Sequence, residues 1–230
     1  MLPKHVVIIP DGNRRWAKGK SKSVQEGYQV GIARIADVLK WCKEFDIKMI
    51  TFWGFSTENF SRETNEVNHL FGLFAKRLKQ AAGRSEYHKY KVRVKFFGKK
   101  EMFPKSVQQG INYLENSTKD YTNHQLNILL GYGGRVELVD AAKQIASDMK
   151  AGKISEIDEE TFKSYLYTSE LPDPDLIIRT SGEQRLSGLL PWQSAYSELL
   201  FSPKLWPDFQ KEDFKAALDE YELRQRRFGT

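Results

Sequence analysis

Asp11 begins a stretch in which a carboxylate, a glycine, an amide, two guanidinium groups and an indole follow one another, Asp11-Gly12-Asn13-Arg14-Arg15-Trp16. Two further polar runs share its character. One is Ser56-Thr57-Glu58-Asn59-Phe60-Ser61-Arg62, and the other extends from Arg179 to Arg185-Leu186-Ser187. Several arginines suit a phosphate or diphosphate, because the guanidinium fork meets its oxygens two at a time. The carboxylates of Asp11 and Glu198 would repel a bare phosphate. They make sense among arginines when a hard divalent cation lies between, and magnesium pairs one or two carboxylates with substrate phosphates. Alone, each residue has a plainer use, since an Asp after a strand is most often a turn former or helix cap.

The elements that must position these groups are readable from the pattern of apolar residues. His5 to Ile9 is a short run rich in β-branched side chains that stops at Pro10, which predicts a buried strand. Similar strands are expected over 47–55, 92–96, 126–130 and 176–178. Apolar residues recur at helical spacing from Gly31 to Cys42 and over 67–78, 104–118, 136–150, 158–167 and 210–224. Gly19 to Gly27 is basic and polar and reads as a mobile loop. Alternating strands and helices predict an α/β fold, a single domain over 1–230 with a central, mainly parallel sheet flanked by helices. In such a sheet the strand tips share one edge, and ligands bind in the crevice beyond it. Trp53, Phe55, Phe60, Trp192 and Tyr196 lie near the tips in sequence, and Phe71 and Phe74 follow on a helix. A substrate with an anionic head and a hydrocarbon tail fits that mixture, although a Phe-rich helical face is ordinarily core.

The 230 residues carry a formal charge of +6 with 40% apolar residues, which permits an anionic partner without choosing one. A nucleic-acid-binding role would rest on charge alone, because no recognition motif is present. The single cysteine, Cys42, excludes an internal disulfide and zinc-finger spacing, and the four histidines have no ligand-like spacing. No glycine-rich loop ending in Gly-Lys-Ser/Thr is present, so an ordinary nucleotide hydrolase is excluded. No apolar stretch is long enough to span a membrane, and the first residues lack a signal-peptide pattern, so a cytoplasmic location is expected.

Taken together, the runs resemble the signatures of the cis-prenyltransferases, the undecaprenyl diphosphate synthase family. His5 to Ala17 is similar to the first motif and Phe55 to Arg62 to the second. Asp173-Pro174-Asp175 through Arg179-Thr180-Ser181-Gly182-Glu183-Gln184-Arg185-Leu186-Ser187 resembles the most distinctive one, continued by Trp192-Gln193 and Tyr196 to Leu199. Arg227-Phe228-Gly229 resembles the C-terminal motif. The resemblance implies an apolar tunnel, a homodimer, and addition of isopentenyl diphosphate to an allylic prenyl diphosphate with a new cis double bond. It implies magnesium on Asp11 with help from Glu198, and an allylic diphosphate held by Gly12, Asn13, Arg14, Arg15 and Trp16, with Tyr28 at a contact position. Arg179, Arg185, Leu186 and Ser187 would hold the isopentenyl diphosphate. Asn59 would assist proton removal beside Ser56, Thr57, Glu58, Phe60 and Arg62, and Arg227 and Gly229 would reach the partner's site. A lipid product would allow peripheral membrane association.

The chain also departs from the family pattern. Val24 and Tyr28 stand where the family usually has an Arg and a His, and Arg14 stands where it usually has a Gly. Arg14, Lys20 or Lys22 could replace the lost charge, or the site could transfer its prenyl group to a different acceptor. A non-catalytic partner subunit is the least favoured reading, because such subunits tend to lose the features that Asp11 and Arg227-Phe228-Gly229 retain.

Overall fold

The computed structural model describes residues 1–81, 83 and 86–224. Six strands, β1 (His5–Ile9), β2 (Met49–Ser56), β3 (Val92–Phe97), β4 (His124–Tyr132), β5 (Leu176–Arg179) and β6 (Glu198–Phe201), form one sheet in the order β3-β4-β2-β1-β5-β6. Every pairing is parallel. The chain first builds outward from β1 on one side and returns to add β5 and β6 on the other. The direction of winding therefore reverses between β1 and β5, and their tips flank the crevice where open α/β sheets bind ligands.

The alternation of side chains along the strands sorts the core into two layers. Val6, Ile8, Ile50, Phe52 and Leu126 face one side. There they pack on α2 (Val24–Glu44), α3 (Thr64–Ala81), α5 (Lys105–Thr118) and α8 (Lys211–Leu223). Val7, Ile9, Leu129, Tyr132 and Ile177 face the other side with Leu171, Leu189 and Leu190. The remaining helices are α1 (Asn13–Gly19), α4 (Glu86–Lys89), α6 (Gly134–Lys150) and α7 (Glu159–Ser164). No helix among the described residues is long and apolar enough to cross a membrane.

The expected strands are all present, and β6 is an addition. Its four half-buried residues are too few to show a period. The expected loop over Gly19–Gly27 is replaced by the end of α1 and the beginning of α2. Ser23 and Glu26 form a capping box there: Ser23 Oγ accepts from the Glu26 amide, and the Glu26 carboxylate accepts from the Ser23 amide at 2.9 Å. Such a cap is worth about 1 kcal/mol and starts α2 seven residues before the apolar period becomes visible. Gly31 lets α2 approach α1 closely, because a Cβ there would lie 2.0 Å from Asn13 Oδ1.

At the N-terminal ends of the strands, three buried polar residues form a closed chain. His5 Nδ1 donates to the Pro172 carbonyl at 2.9 Å, which leaves Nε2 to accept from Thr51 Oγ1 at 2.7 Å. Thr51 Oγ1 in turn accepts from Asn127 Nδ2 at 3.0 Å. Burial pushes the His5 pKa down to about 4, so the imidazole is neutral within this chain of hydrogen bonds.

Candidate active site

Asp11 sits two residues past the end of β1, and Arg179 is the last residue of β5, paired in register with Ile9. Arg179 Nη2 donates to Asp11 Oδ2 at 2.8 Å, and Nη1 donates to Ser187 Oγ at 2.9 Å and to the Arg185 carbonyl. The Arg179 side chain is only 6% exposed, against 32% for Asp11. Its Nε is buried without a partner among the described residues. Arg179 is thus fixed from below while Asp11 faces the opening. Asp11 Oδ1 is 3.9 Å from Arg15 Nη2, so that oxygen is only loosely held. Arg15 also reaches Glu183 at 3.3 Å, and Glu183 pairs with Arg185.

Gly12 makes the turn from β1 into α1. Its φ is +108°, and a Cβ would lie 2.9 Å from Leu205 Cδ2. No side chain caps the first turn of α1, so its leading amides are left for a partner outside the helix. Asn13 Nδ2 donates to the Pro10 carbonyl, and Trp16 Nε1 donates to Asp208 Oδ1 at 2.7 Å. The buried Trp16 therefore anchors α1 rather than offering its indole N–H to a ligand.

A cavity of about 650 Å³ opens at these tips and runs between the sheet and α2 and α3. Asp11, Gly12, Asn13, Arg14, Arg15, Tyr28, Ser56, Asn59, Arg62, Arg179 and Ser187 line its mouth, and Phe52, Phe55, Leu70, Phe74 and Ile128 line its body. Near the mouth the β2–β4 register shifts around Gly54, a bulge that re-aims the end of β2. Asn59 Oδ1 accepts from the Ser56 amide at 3.0 Å. Thr57, Glu58 and Phe60 are not on the wall; Phe60 packs on Phe55, Phe71 and Phe103. Leu186 belongs to the packing of the opposite layer.

Tyr28 carries a different chemistry from the His it replaces. Its hydroxyl donates to Glu66 Oε1 at 2.7 Å and accepts from Arg62 Nη1 at 2.9 Å, while Arg62 also reaches Glu66 at 3.2 Å. Burial and the Glu66 hydrogen bond push the phenol up to about 12, so it remains a neutral donor spent on Glu66. Arg14 lies near enough to Tyr28 for its charge to act on the phenol. Of the candidate replacement cations, Arg14 lines the cavity and Lys22 is engaged by Glu26.

One expectation needs correcting. Glu198 begins β6 and pairs in register with Leu176, which pairs with Val6. Glu198 thus stands level with Val6, three residues before the end of β1, roughly 10 Å at about 3.3 Å per residue, and Asp11 lies beyond that end. Within one chain Glu198 is not brought to Asp11; its carboxylate accepts from Arg224 Nη1 at 3.1 Å. Phe71 packs in the aromatic core, as expected for a Phe-rich helical face, while Phe74 lines the cavity. Arg227 and Gly229 lie outside the described residues. Sequence reasoning passed over Arg77 and Tyr87, which line the far part of the cavity. A charge seven residues after Leu70, on the apolar face of α3, was the available signal.

Comparison with known proteins agrees with this architecture. A family profile described as "Putative undecaprenyl diphosphate synthase" matches residues 9–229. A tritrans,polycis-undecaprenyl-diphosphate synthase (geranylgeranyl-diphosphate specific) from Thermoplasma acidophilum is 48% identical over 229 residues, 99% of this chain and 89% of that protein. One of the same name from Pyrococcus horikoshii is 46% identical, covering 100% of this chain and 88% of that protein. Among solved structures, lavandulyl diphosphate synthase from Lavandula x intermedia in complex with dimethylallyl diphosphate superposes with a TM-score of 0.93 at 35% identity. The match covers 100% of this chain and 99% of that one. With motifs, fold and relatives in agreement, the chain belongs to the undecaprenyl diphosphate synthase family, the cis-prenyltransferases that make polyprenyl diphosphates.

Proposed function

We propose that the protein condenses isopentenyl diphosphate with an allylic prenyl diphosphate in a magnesium-dependent reaction at the tips of β1 and β5. The observation that carries this reading is the Asp11–Arg179 pair, flanked by Ser187 and Arg15 at the mouth of an apolar cavity. The donor set fits magnesium. Asp11 keeps one loosely held oxygen beside arginines, and no cluster of three or more metal-ligating side chains occurs among the described residues. A cation held this way completes its shell from substrate phosphates and water. Bound there, magnesium would neutralise charge building up on the departing diphosphate.

The protein's own groups have separable tasks. Arg14, Arg15 and the first amides of α1 hold the allylic diphosphate. Arg179, steadied by Asp11 and the Arg185 carbonyl, directs Ser187 and Arg185 toward the isopentenyl diphosphate. The allylic C–O bond breaks, the isopentenyl double bond supplies the new C–C bond, and a proton leaves the adjacent carbon. A carboxamide has no basic lone pair for that proton, so Asn59 orients the reacting groups and a diphosphate oxygen receives it. The apolar cavity surrounds the tail and excludes water from the carbocation. A homodimer, a cytoplasmic location and membrane association through the lipid product belong to the same proposal.

The geranylgeranyl-diphosphate specificity in the names of the two relatives makes geranylgeranyl diphosphate the donor to test first. The test is incorporation of labelled isopentenyl diphosphate into geranylgeranyl, farnesyl or dimethylallyl diphosphate, with magnesium and with chelator. Two observations favour a second reading. Tyr28 spends its hydroxyl on Glu66, and a close structural neighbour binds dimethylallyl diphosphate. Product formed from dimethylallyl diphosphate alone would support transfer to an acceptor other than isopentenyl diphosphate.

A further inference from the structure

Every strand pairing in the sheet is parallel, so the turns that lead into the strands lie along one edge, opposite the mouth of the cavity. The turns into β2, β3 and β4 are neighbours there, because those strands are adjacent. Lys43 lies in the last turn of α2 before β2, Lys89, Tyr90 and Lys91 lead from α4 into β3, and Tyr121 precedes β4. Lys43 Nζ stands 4.4 Å and Lys89 Nζ 5.4 Å from the centre of the Tyr90 ring, and Lys91 Nζ stands 4.8 Å from that of Tyr121. His88 Nδ1 and the Tyr121 hydroxyl share a hydrogen bond of 3.0 Å, which ties the α4–β3 and α5–β4 turns together. The two rings are half-buried and the three lysines exposed.

Two ammonium groups that share one ring lie within about 10 Å of each other, the Debye length at about 0.1 M salt, so each feels the other. Among the described residues no carboxylate pairs with Lys43, Lys89 or Lys91. The acids of the α2–β2 turn are taken, Asp46 by Lys48 and Glu44 by Lys211. Asp120 is exposed beside an equally exposed Lys119, and the two offset each other. An anionic surface brought to this edge relieves the repulsion. The rings suit such a surface in a second way, since a tyrosine has an apolar body and a polar tip and favours the boundary between headgroups and hydrocarbon. The space behind the edge selects a lipid surface over a nucleic acid. Val94 and Leu126 pair with each other, line the cavity, and are each the third residue of their strand. The cavity therefore comes within two strand residues, roughly 7 Å, of the edge. Tyr87, one helical turn before Tyr90, lines it as well. A space suited to hydrocarbon thus ends directly behind a basic, aromatic edge.

We propose that this edge is a docking surface for an anionic lipid bilayer, met by Lys43, Lys89 and Lys91 with the Tyr90 and Tyr121 rings at headgroup level. The inference rests on the function proposed above only in taking the cavity to hold a prenyl tail. The binding belongs to the protein surface and needs neither substrate nor product.

The test is flotation of the purified protein, without substrates, on vesicles of phosphatidylcholine alone and of phosphatidylcholine mixed equally with phosphatidylglycerol. A lysine close to an anionic membrane strengthens binding about fivefold. The unaltered protein is expected to float with the mixed vesicles and not with the neutral ones, and to leave them as salt rises from about 0.1 M to about 0.5 M. The triple variant Lys43→Gln/Lys89→Gln/Lys91→Gln should bind the mixed vesicles at least about tenfold more weakly. Its turnover in detergent should be unchanged, because none of the three lysines lines the cavity. Lys105→Gln/Lys143→Gln/Lys204→Gln removes the same charge from exposed positions elsewhere and should bind as the unaltered protein does. Equal weakening in both triple variants would reduce the effect to net charge and overturn the docking surface, as would undiminished binding by the first. Tighter binding of the unaltered protein to duplex DNA than to the mixed vesicles, at the same salt, would overturn it too. Vesicle binding without elongation of any allylic diphosphate would uphold the surface and count against the proposed reaction.

Discussion

At the N-terminal ends of the strands, His5, Thr51 and Asn127 pass hydrogen bonds from β1 to β2 to β4 and end on the Pro172 carbonyl. Beyond the opposite ends, Asp11, Arg15, Arg62 and Arg179 meet around an open mouth. There an Asp11 oxygen, the leading amides of α1 and a buried Arg179 Nε are left without firm protein partners. The same parallel sheet thus carries one polar cluster that satisfies itself and one that does not. Buried polar groups are costly when unpaired, so the closed cluster contributes to stability. The open cluster forgoes some stability and keeps its hydrogen-bonding capacity for a charged ligand.

The sharpest way to break this comparison is to alter each cluster and read both activity and stability. Asp11→Ala should lower turnover by about 10²–10³-fold or more, the range for removing one electrostatic group from such a site. Thermal stability should change little, which a melting curve alongside a steady-state assay would check. A large loss of stability with modest loss of turnover would make Asp11 a structural residue.

The closed cluster should respond to pH instead. The folded-state pKa of His5, about 4, lies below its ordinary value of 6.5, so the unfolded chain binds the proton more readily. The stability linked to neutral His5 is present above pH 6.5 and is lost as pH falls toward 4, by up to on the order of 3 kcal/mol. Chemical denaturation between pH 7 and pH 4 should show this decline, and His5→Asn should flatten it. An equal slope in that variant would place the pH dependence elsewhere.

The sequence revealed these two regions unequally. The five strands that carry apolar runs, and the polar tips of β1, β2 and β5, were legible because a buried strand must be apolar and must end where polar residues begin. β6 was not legible, since four half-buried residues carry no period. Residues 19–27 misled because α1 is short and basic, and α2 begins with a polar capping box rather than an apolar stripe. Glu198 looked close to Asp11 when both were counted as site residues. Only the strand register shows that it starts β6 while Asp11 follows the end of β1. The half-buried Glu66 partner of Tyr28 could not be inferred, because it lies 38 residues away on another helix.

A smaller effect sharpens the site itself. Tyr28→Phe removes the hydroxyl that joins Arg62 to Glu66 and leaves their direct 3.2 Å contact. The expected loss is about 1 kcal/mol of substrate binding, seen as a several-fold rise in KM with kcat nearly unchanged. A fall in kcat instead would give the phenol a part in the chemistry. Tyr28→His should improve use of isopentenyl diphosphate if this position governs the choice of acceptor, and competition between labelled acceptors would measure it.

The central claim is that the open cluster at the tips of β1 and β5 handles diphosphates with magnesium. The most direct test supplies purified protein with geranylgeranyl diphosphate, labelled isopentenyl diphosphate and magnesium, and follows label entering the organic phase. Label should appear in longer prenyl diphosphates, disappear with chelator, and be reduced at least 10²-fold in Asp11→Ala. Incorporation that persists at full rate with chelator, or in Asp11→Ala, would contradict it.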